Sequence, residues 1–165
     1  MRDLPPPLTL RPLNLADAAA LQAVYSGSAD YFRRAAAAPP DAPQQLQQAA
    51  AEEGRFLLGM VLDGEMIGVL DLRLAWPGPF DVSIGLIGLI SEHRRLGLGS
   101  WALRLLETWL ARDTPTEAVL LHVPAADHAA QAFFRANGYV FTGQSTRVIN
   151  GHTRLRLLEM RKSLR

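Results

Sequence analysis

The chain has 165 residues and a mass of 18.1 kDa, with 48% apolar and 20% charged residues, a size suited to one domain and a balance that excludes a disordered chain. Its 17 Lys and Arg against 16 Asp and Glu leave a formal net charge of +1, so no overall field draws it to nucleic acid or anionic lipid. The absence of cysteine excludes disulfides, a thiolate nucleophile and cysteine-held metals.

The N-terminal Met1 to Pro7 carries an acid and three prolines where a signal peptide needs a basic start and an apolar run. Leu8 to Arg11 alternates as a short strand, and Asn14 or Asp17 is placed to cap an alanine-rich helix running through Tyr25. Ser26-Gly27-Ser28 interrupts it, and further helices are expected over Tyr31 to Ala38 and Gln44 to Glu53, on either side of a proline-rich break. Arg55 to Leu62 and Glu65 to Leu74 flank Asp63-Gly64, a hairpin signal. Beyond a loop at Trp76 to Phe80, Val82 to Ile90 reads as a buried strand, too short and glycine-broken to span a bilayer.

From Ser100 to Arg112 the period changes to that of an amphipathic helix, with Ala102, Leu105, Leu106 and Trp109 on the apolar face and Arg104, Glu107, Thr108 and Ala111 opposite. Ala118 to Val123 is a buried strand, and Asp127 to Asn137 a helix closed by Gly138. Tyr139 to Thr142 begins a strand, and Thr146 to Ile149 with His152 to Met160 frame a hairpin about Asn150-Gly151. The order β-α-α-α-β-β-β-α-β-α-β-β predicts a single α/β domain over residues 1–165, with a mixed, mostly antiparallel sheet around a central parallel β-α-β pair and flanking helices. A cytoplasmic protein with no membrane and no nucleic-acid partner is expected.

The segment His93 to Ser100 is the most informative, because Gly97 and Gly99 stand where a buried strand gives way to a helix. Two glycines one residue apart let successive N–H groups converge at a helix N-terminus, a cradle for a pyrophosphate, and Arg94 and Arg95 add positive charge. No Gly-Lys-Ser/Thr follows, so a Walker A loop is excluded. A dinucleotide fingerprint fits Gly97-x-Gly99-x-x-Ala102, but the preceding strands read as antiparallel and Glu117 falls at the wrong end of its strand.

Arg94-x-x-Gly97-x-Gly99 resembles the acyl-CoA pyrophosphate motif of the GNAT superfamily of N-acyltransferases. Leu10-Arg11-Pro12 with Asp17 is similar to that family's first strand and helix. The stretch from Asp127 to Tyr139, with Ala130, Phe133-Phe134 and Gly138, is similar to its second CoA-side helix. The resemblance implies transfer of an acetyl group from acetyl-CoA to a small-molecule or peptide amine. It also implies that the strand at Ile87, Leu89 and Ile90 pairs with the pantetheine arm where two central strands splay. The amides of Leu96, Gly97, Leu98, Gly99 and Ser100 hold the pyrophosphate, and Asp127 and Phe134 border the cofactor. Homodimers are frequent in the family. Asp127 departs from the family's usual Asn, and Phe134 stands where many members carry a Tyr that protonates the departing thiolate.

An ammonium ion must lose a proton before it attacks a thioester. His122 is the first candidate base, on a strand where related ribosomal-protein acetyltransferases carry Glu, and imidazole suits the task near neutral pH. Asp71 is the alternative, as an acid interrupting an apolar strand, whereas Asp81 reads as a loop-end acid. The four histidines lack metal-ligand spacing, and no metal is expected. Tyr25, Tyr31 and Trp76 are candidate acceptor-side residues. Two other readings stay open: an acyl-CoA-binding module without turnover, and a nucleotide-dependent oxidoreductase.

Overall fold

Asp63 and Gly64 take φ values of 50° and 81°, as a type I′ turn demands, and join β2 (Arg55–Leu62) to β3 (Glu65–Leu74). The structure is a computed structural model and describes residues 7–34, 37–94 and 96–165. With β1 (Leu8–Pro12), β4 (Asp81–Leu89), β5 (Ala118–Pro124), β6 (Val140–Asn150) and β7 (Thr153–Ser163), the strands form one sheet in the order β1-β2-β3-β4-β5-β7-β6. Every pairing is antiparallel except β4 with β5, as the element order predicts.

The alternation of side chains divides the core into two layers. Leu58, Met60, Leu70, Leu72, Val82, Ile84, Val119 and Leu121 face α4 (Leu98–Asp113) and α5 (His128–Ala136). Leu57 and Val69 face α1 (Ala18–Gly27), α2 (Ala29–Arg34) and α3 (Ala42–Ala51). Asn14 caps the short 3-10 turn that leads into α1, and Asp17 is drawn back to it by Arg11 through two hydrogen bonds. No helix among the described residues is long and apolar enough to cross a membrane.

One irregularity shapes the site. Asp71 pairs with Leu86 while Leu72 pairs with Ile84, so Gly85 is an extra residue in β4, a bulge that bends the strand. On its other edge β4 pairs with β5 only from Asp81↔Ala118 to Ile84↔Leu121. Beyond Ile84 the strands part, as the resemblance implies, and a cleft opens between them.

Several elements differ from the sequence reading, among them the third helix, which runs Ala42–Ala51 and so lies two residues earlier than expected. The second helix starts at Ala29, two residues early, and the end expected for it near Ala38 touches residues outside those described. Residues 140 to 150 form one strand with a bulge between Phe141 and Ser145, and its turn is Gly151-His152, because Asn150 pairs with Thr153. The buried face of α4 runs through Leu98, Ala102, Leu103, Leu106 and Leu110 and takes in Glu107, whereas Trp109 is 40% exposed. Periodicity assigned Glu107 outward by its charge. The fold turns it inward because the Tyr139 hydroxyl donates to it at 2.9 Å and Lys162 Nζ at 2.7 Å.

Candidate active site

The register of β3 and β4 determines which backbone groups face the cleft. Ile90 N donates to the Ile67 carbonyl at 2.9 Å, so in an antiparallel ladder residues 90, 88 and 86 turn their N–H and C=O toward β3. Ile87 and Leu89 turn theirs the other way, along the edge that β5 has left. Of the three residues expected to pair with an extended ligand, Ile87 and Leu89 are therefore placed for it. Ile90 is not, since its N–H is bound to β3 and its side chain packs into both core layers.

This edge forms one wall of a groove of about 570 Å³, lined by Ile87, Leu89, Arg94, Gly97, Leu98, Gly99, Ser100, Asp127 and Phe134 among others. At its far end α4 begins. Gly97 adopts φ 76°, and Trp101 N is the first amide bound within the helix, to the Gly97 carbonyl at 3.1 Å, so the amides of Leu98, Gly99 and Ser100 have no partner within it. A Cβ at Gly97 meets nothing within 4 Å, whereas one at Gly99 lies 3.1 Å from the Phe133 ring. The cradle is open at Gly97 and floored by Phe133 at Gly99. Asn137 Nδ2 bridges to Ser100 Oγ at 3.1 Å and to the Phe133 carbonyl at 2.8 Å, holding the start of α4 to the end of α5.

The charge around the cradle is arranged differently from the expectation. Arg94 lines the groove, but its Nη1 donates to Asp30 of α2 and its Nε to the Leu89 carbonyl at 3.0 Å. It ties the end of β4 to α2 as well as contributing charge. Arg95 lies outside the described residues. The Leu96 side chain is 65% exposed and belongs to neither cavity. The helix terminus supplies about half a positive charge of its own.

A smaller cavity of about 40 Å³ lies where β4 and β5 part, lined by Ile84, Gly85, Leu86, Leu121, His122, Val123 and Pro124. It shares Tyr31, Ile87, Asp127, Ala130 and Phe134 with the groove, so these five residues stand where the two meet. Asp127 caps α5, its carboxylate accepting from Ala130 N at 3.1 Å. Phe134 is 6% exposed and packs edge-on to Phe133 and Tyr139.

His122 lies at the cavity with its side chain 44% exposed, and β7 brings Glu159 opposite it, with Oε2 at 3.6 Å from Nε2. The other oxygen, Glu159 Oε1, accepts from Thr142 Oγ1 at 2.9 Å. Sequence reasoning missed Glu159 because nothing local in Leu155 to Lys162 announces which strand β7 joins.

Three other candidates are placed elsewhere. Asp71 accepts from Arg55 Nε at 3.1 Å and Nη2 at 2.8 Å and lines neither cavity, so its carboxylate is committed to a bidentate pair. Tyr25 is 2% exposed in the core beneath α1, where burial, reinforced by Asp71, pushes its phenol up to about 12. Trp76 is 49% exposed, under the Arg73 guanidinium at 4.4 Å, and stands at the end of β4 away from Ile87. Only Tyr31 of the three aromatic candidates reaches the cavities, because it lies on α2 beside Asp30. Among the described residues no group of three or more His, Asp or Glu could hold a metal ion.

A model of the acetyltransferase (GNAT) family matches residues 21–139. No match is found among curated proteins. Among solved structures, an acetyltransferase from Thermus thermophilus is 26% identical, with a TM-score of 0.78, covering 94% of this chain and 96% of that one. A ribosomal-protein alanine N-acetyltransferase from Escherichia coli superposes with a TM-score of 0.74 at 18% identity, over 95% of this chain and 94% of the other. An N-acetyltransferase from Thermoplasma acidophilum, in complex with coenzyme A, gives 0.71 at 15% identity, over 94% and 98%. The match spans the cleft strands, the glycine turn and α5, and the chain belongs to the GNAT family.

Proposed function

From membership of this family, we propose that the protein is an N-acetyltransferase that moves an acetyl group from acetyl-CoA to the amine of a small molecule or peptide, in the cytoplasm. The observation that carries this reading is the continuity of the cleft. The edge of β4 at Ile87 and Leu89, where β5 has parted and Arg94 holds the Leu89 carbonyl, joins the groove at the first amides of α4 to the cavity beside His122. The donor set suits the ligand: an anion at the helix start, an extended amide-bearing arm on a strand edge, and a reactive end between parted strands.

In this mechanism the amides of Leu98, Gly99 and Ser100 bind the pyrophosphate, with the α4 dipole behind them. Ile87 and Leu89 exchange backbone hydrogen bonds with the pantetheine and fix the thioester at the mouth of the small cavity. Positioning of this kind supplies much of the rate by replacing a chance encounter with a held geometry. His122 takes a proton from the acceptor ammonium, directly or through one water, and the freed amine attacks the carbonyl carbon. Glu159, held by Thr142, stands 3.6 Å from the imidazole, on the strand next to it.

A thermal-shift panel with acetyl-CoA, CoA and NAD(P) tests the ligand, and release of free thiol across an amine panel tests the turnover. Stabilisation by CoA with thiol release supports the proposal. Stabilisation by NAD(P) alone returns the glycine turn to a dinucleotide role, and CoA binding with no thiol release in any amine identifies a binding module.

A further inference from the structure

Transfer of the acetyl group leaves an electron pair on sulfur, and a proton must reach it for CoA to leave as a thiol. The Phe134 ring, at the junction of the two cavities, has none to give. Of the other four residues at that junction, Ile87 and Ala130 are apolar and Asp127 caps α5 through Ala130 N. The fourth is Tyr31, which brings a hydroxyl. The remaining polar groups of the groove stand further along it. Ser100 is at the pyrophosphate end, bound by Asn137, and Arg94 is held by Asp30 and the Leu89 carbonyl, with a guanidinium that does not surrender its proton.

On the acetyltransferase reading above, we infer that Tyr31 is the acid of the reaction, supplied from α2 across the cleft from α5. The ring is carried by a rigid base. It packs edge-on to Phe32 at 5.2 Å, Phe32 packs edge-on to the buried Tyr25 at 5.8 Å, and Tyr31 N donates to the Ser28 carbonyl at 2.9 Å. Asp30, the preceding residue, is anchored to Arg94, whose Nε in turn donates to the Leu89 carbonyl at the end of β4, so α2 is tied to the strand proposed to hold the thioester. The amine nitrogen bonds to the carbonyl carbon, the C–S bond breaks, and its pair leaves on sulfur. Tyr31 gives its proton to that sulfur. The phenolate then recovers a proton, through water, from the nitrogen that has become an amide, and the one His122 removed passes to solvent.

The test is Tyr31→Phe with acetyl-CoA and whichever of spermidine, phenethylamine and an alanyl hexapeptide the parent protein acetylates fastest. A thiolate is a fair leaving group even unprotonated, so kcat should fall by about ten- to a hundredfold, at or below the lower end of the range for general acids. The KM values for acetyl-CoA and amine, and the thermal shift with CoA, should remain within twofold. Adding Phe134→Tyr, which offers a hydroxyl from the opposite wall, should restore kcat in the double variant at least severalfold. An unchanged kcat in Tyr31→Phe, or a loss confined to KM, overturns the inference. A parent that releases no thiol with any amine overturns the acetyltransferase reading and this inference together, whereas an active parent indifferent to Tyr31→Phe overturns the inference alone.

Discussion

The Tyr139 hydroxyl donates to Glu107 Oε2 at 2.9 Å, joining the residue before β6 to the middle of α4 across 32 positions of sequence. Lys162 Nζ, from β7, reaches the other oxygen at 2.7 Å and also donates to the Asn137 carbonyl at 2.8 Å. One carboxylate, 8% exposed as a residue, thus holds both α4 and the end of α5 to the far half of the sheet. Burial, with Glu107 beside it, raises the Tyr139 phenol far above its ordinary range, so the hydroxyl stays protonated and donating.

Removing Glu107 leaves a buried hydroxyl and a partly buried ammonium without their acceptor. Glu107→Ala should cost about 3 kcal/mol, the lower end for breaking a buried pair since Lys162 keeps some contact with water. For a chain of this length that corresponds to a fall in Tm of about 6–12 °C, measurable by calorimetry. Tyr139→Phe loses one hydrogen bond and should cost about 1 kcal/mol.

The cradle prediction separates binding from folding. A side chain at Gly99 must displace the Phe133 ring, while at Gly97 it has space but inherits φ 76°. Gly99→Val should therefore block the groove, and Gly97→Val should add backbone strain of about 1–2 kcal/mol to the obstruction. With CoA at 100 times its dissociation constant, the parent protein should gain about 2.7 kcal/mol. Both variants should fold, by circular dichroism, and lose that gain.

Much of this was legible because local chemistry dictated it. Asp63-Gly64 can hardly be anything but a tight turn, and the glycines at 97 and 99 mark a helix start where the backbone must be bare. What escaped the sequence was tertiary. Tyr25 and Tyr31 are six residues apart on neighbouring helices, and one is core while the other meets the cleft, because α2 breaks away from α1 at Ser28. Asp71 signalled a functional acid by interrupting an apolar strand, but its partner Arg55 lies across the hairpin, a contact that depends on register. Glu159 meets His122 only because β7 inserts between β5 and β6, and no local signal encodes that order.

Alkaline stability follows from Tyr25. Its folded pKa lies above the ordinary value near 10, chiefly through burial and then through Asp71, so the stability linked to its protonated form is fully present below about pH 10. It is lost as the pH rises from there through about 12, where the unfolded chain ionises and the folded one resists. The loss should amount to about 2–3 kcal/mol. Urea unfolding at pH 9 and pH 11.5 should show Tyr25→Phe losing less between the two conditions than the parent; equal losses would place the sensitivity elsewhere.

The base is tested through His122 and its neighbour together. If His122 removes the ammonium proton, His122→Ala should lower kcat by about 10²-fold or more, with little change in the KM for acetyl-CoA, whose proposed holding groups lie on β4 and α4. The limb of the kcat profile that reports the base should disappear. Glu159→Gln keeps the size and the Thr142 contact but removes the negative charge 3.6 Å from the imidazole. The kcat should then fall while the KM for acetyl-CoA holds, because the carboxylate that faces the ring is gone. A His122→Ala protein with the parent rate and profile would leave the proton to water, and the Glu159→Gln rate would then also match the parent. A lowered kcat in both variants, with the KM for acetyl-CoA and the Tm of the parent, assigns the proton transfer to the imidazole, since a change confined to folding would move the Tm as well.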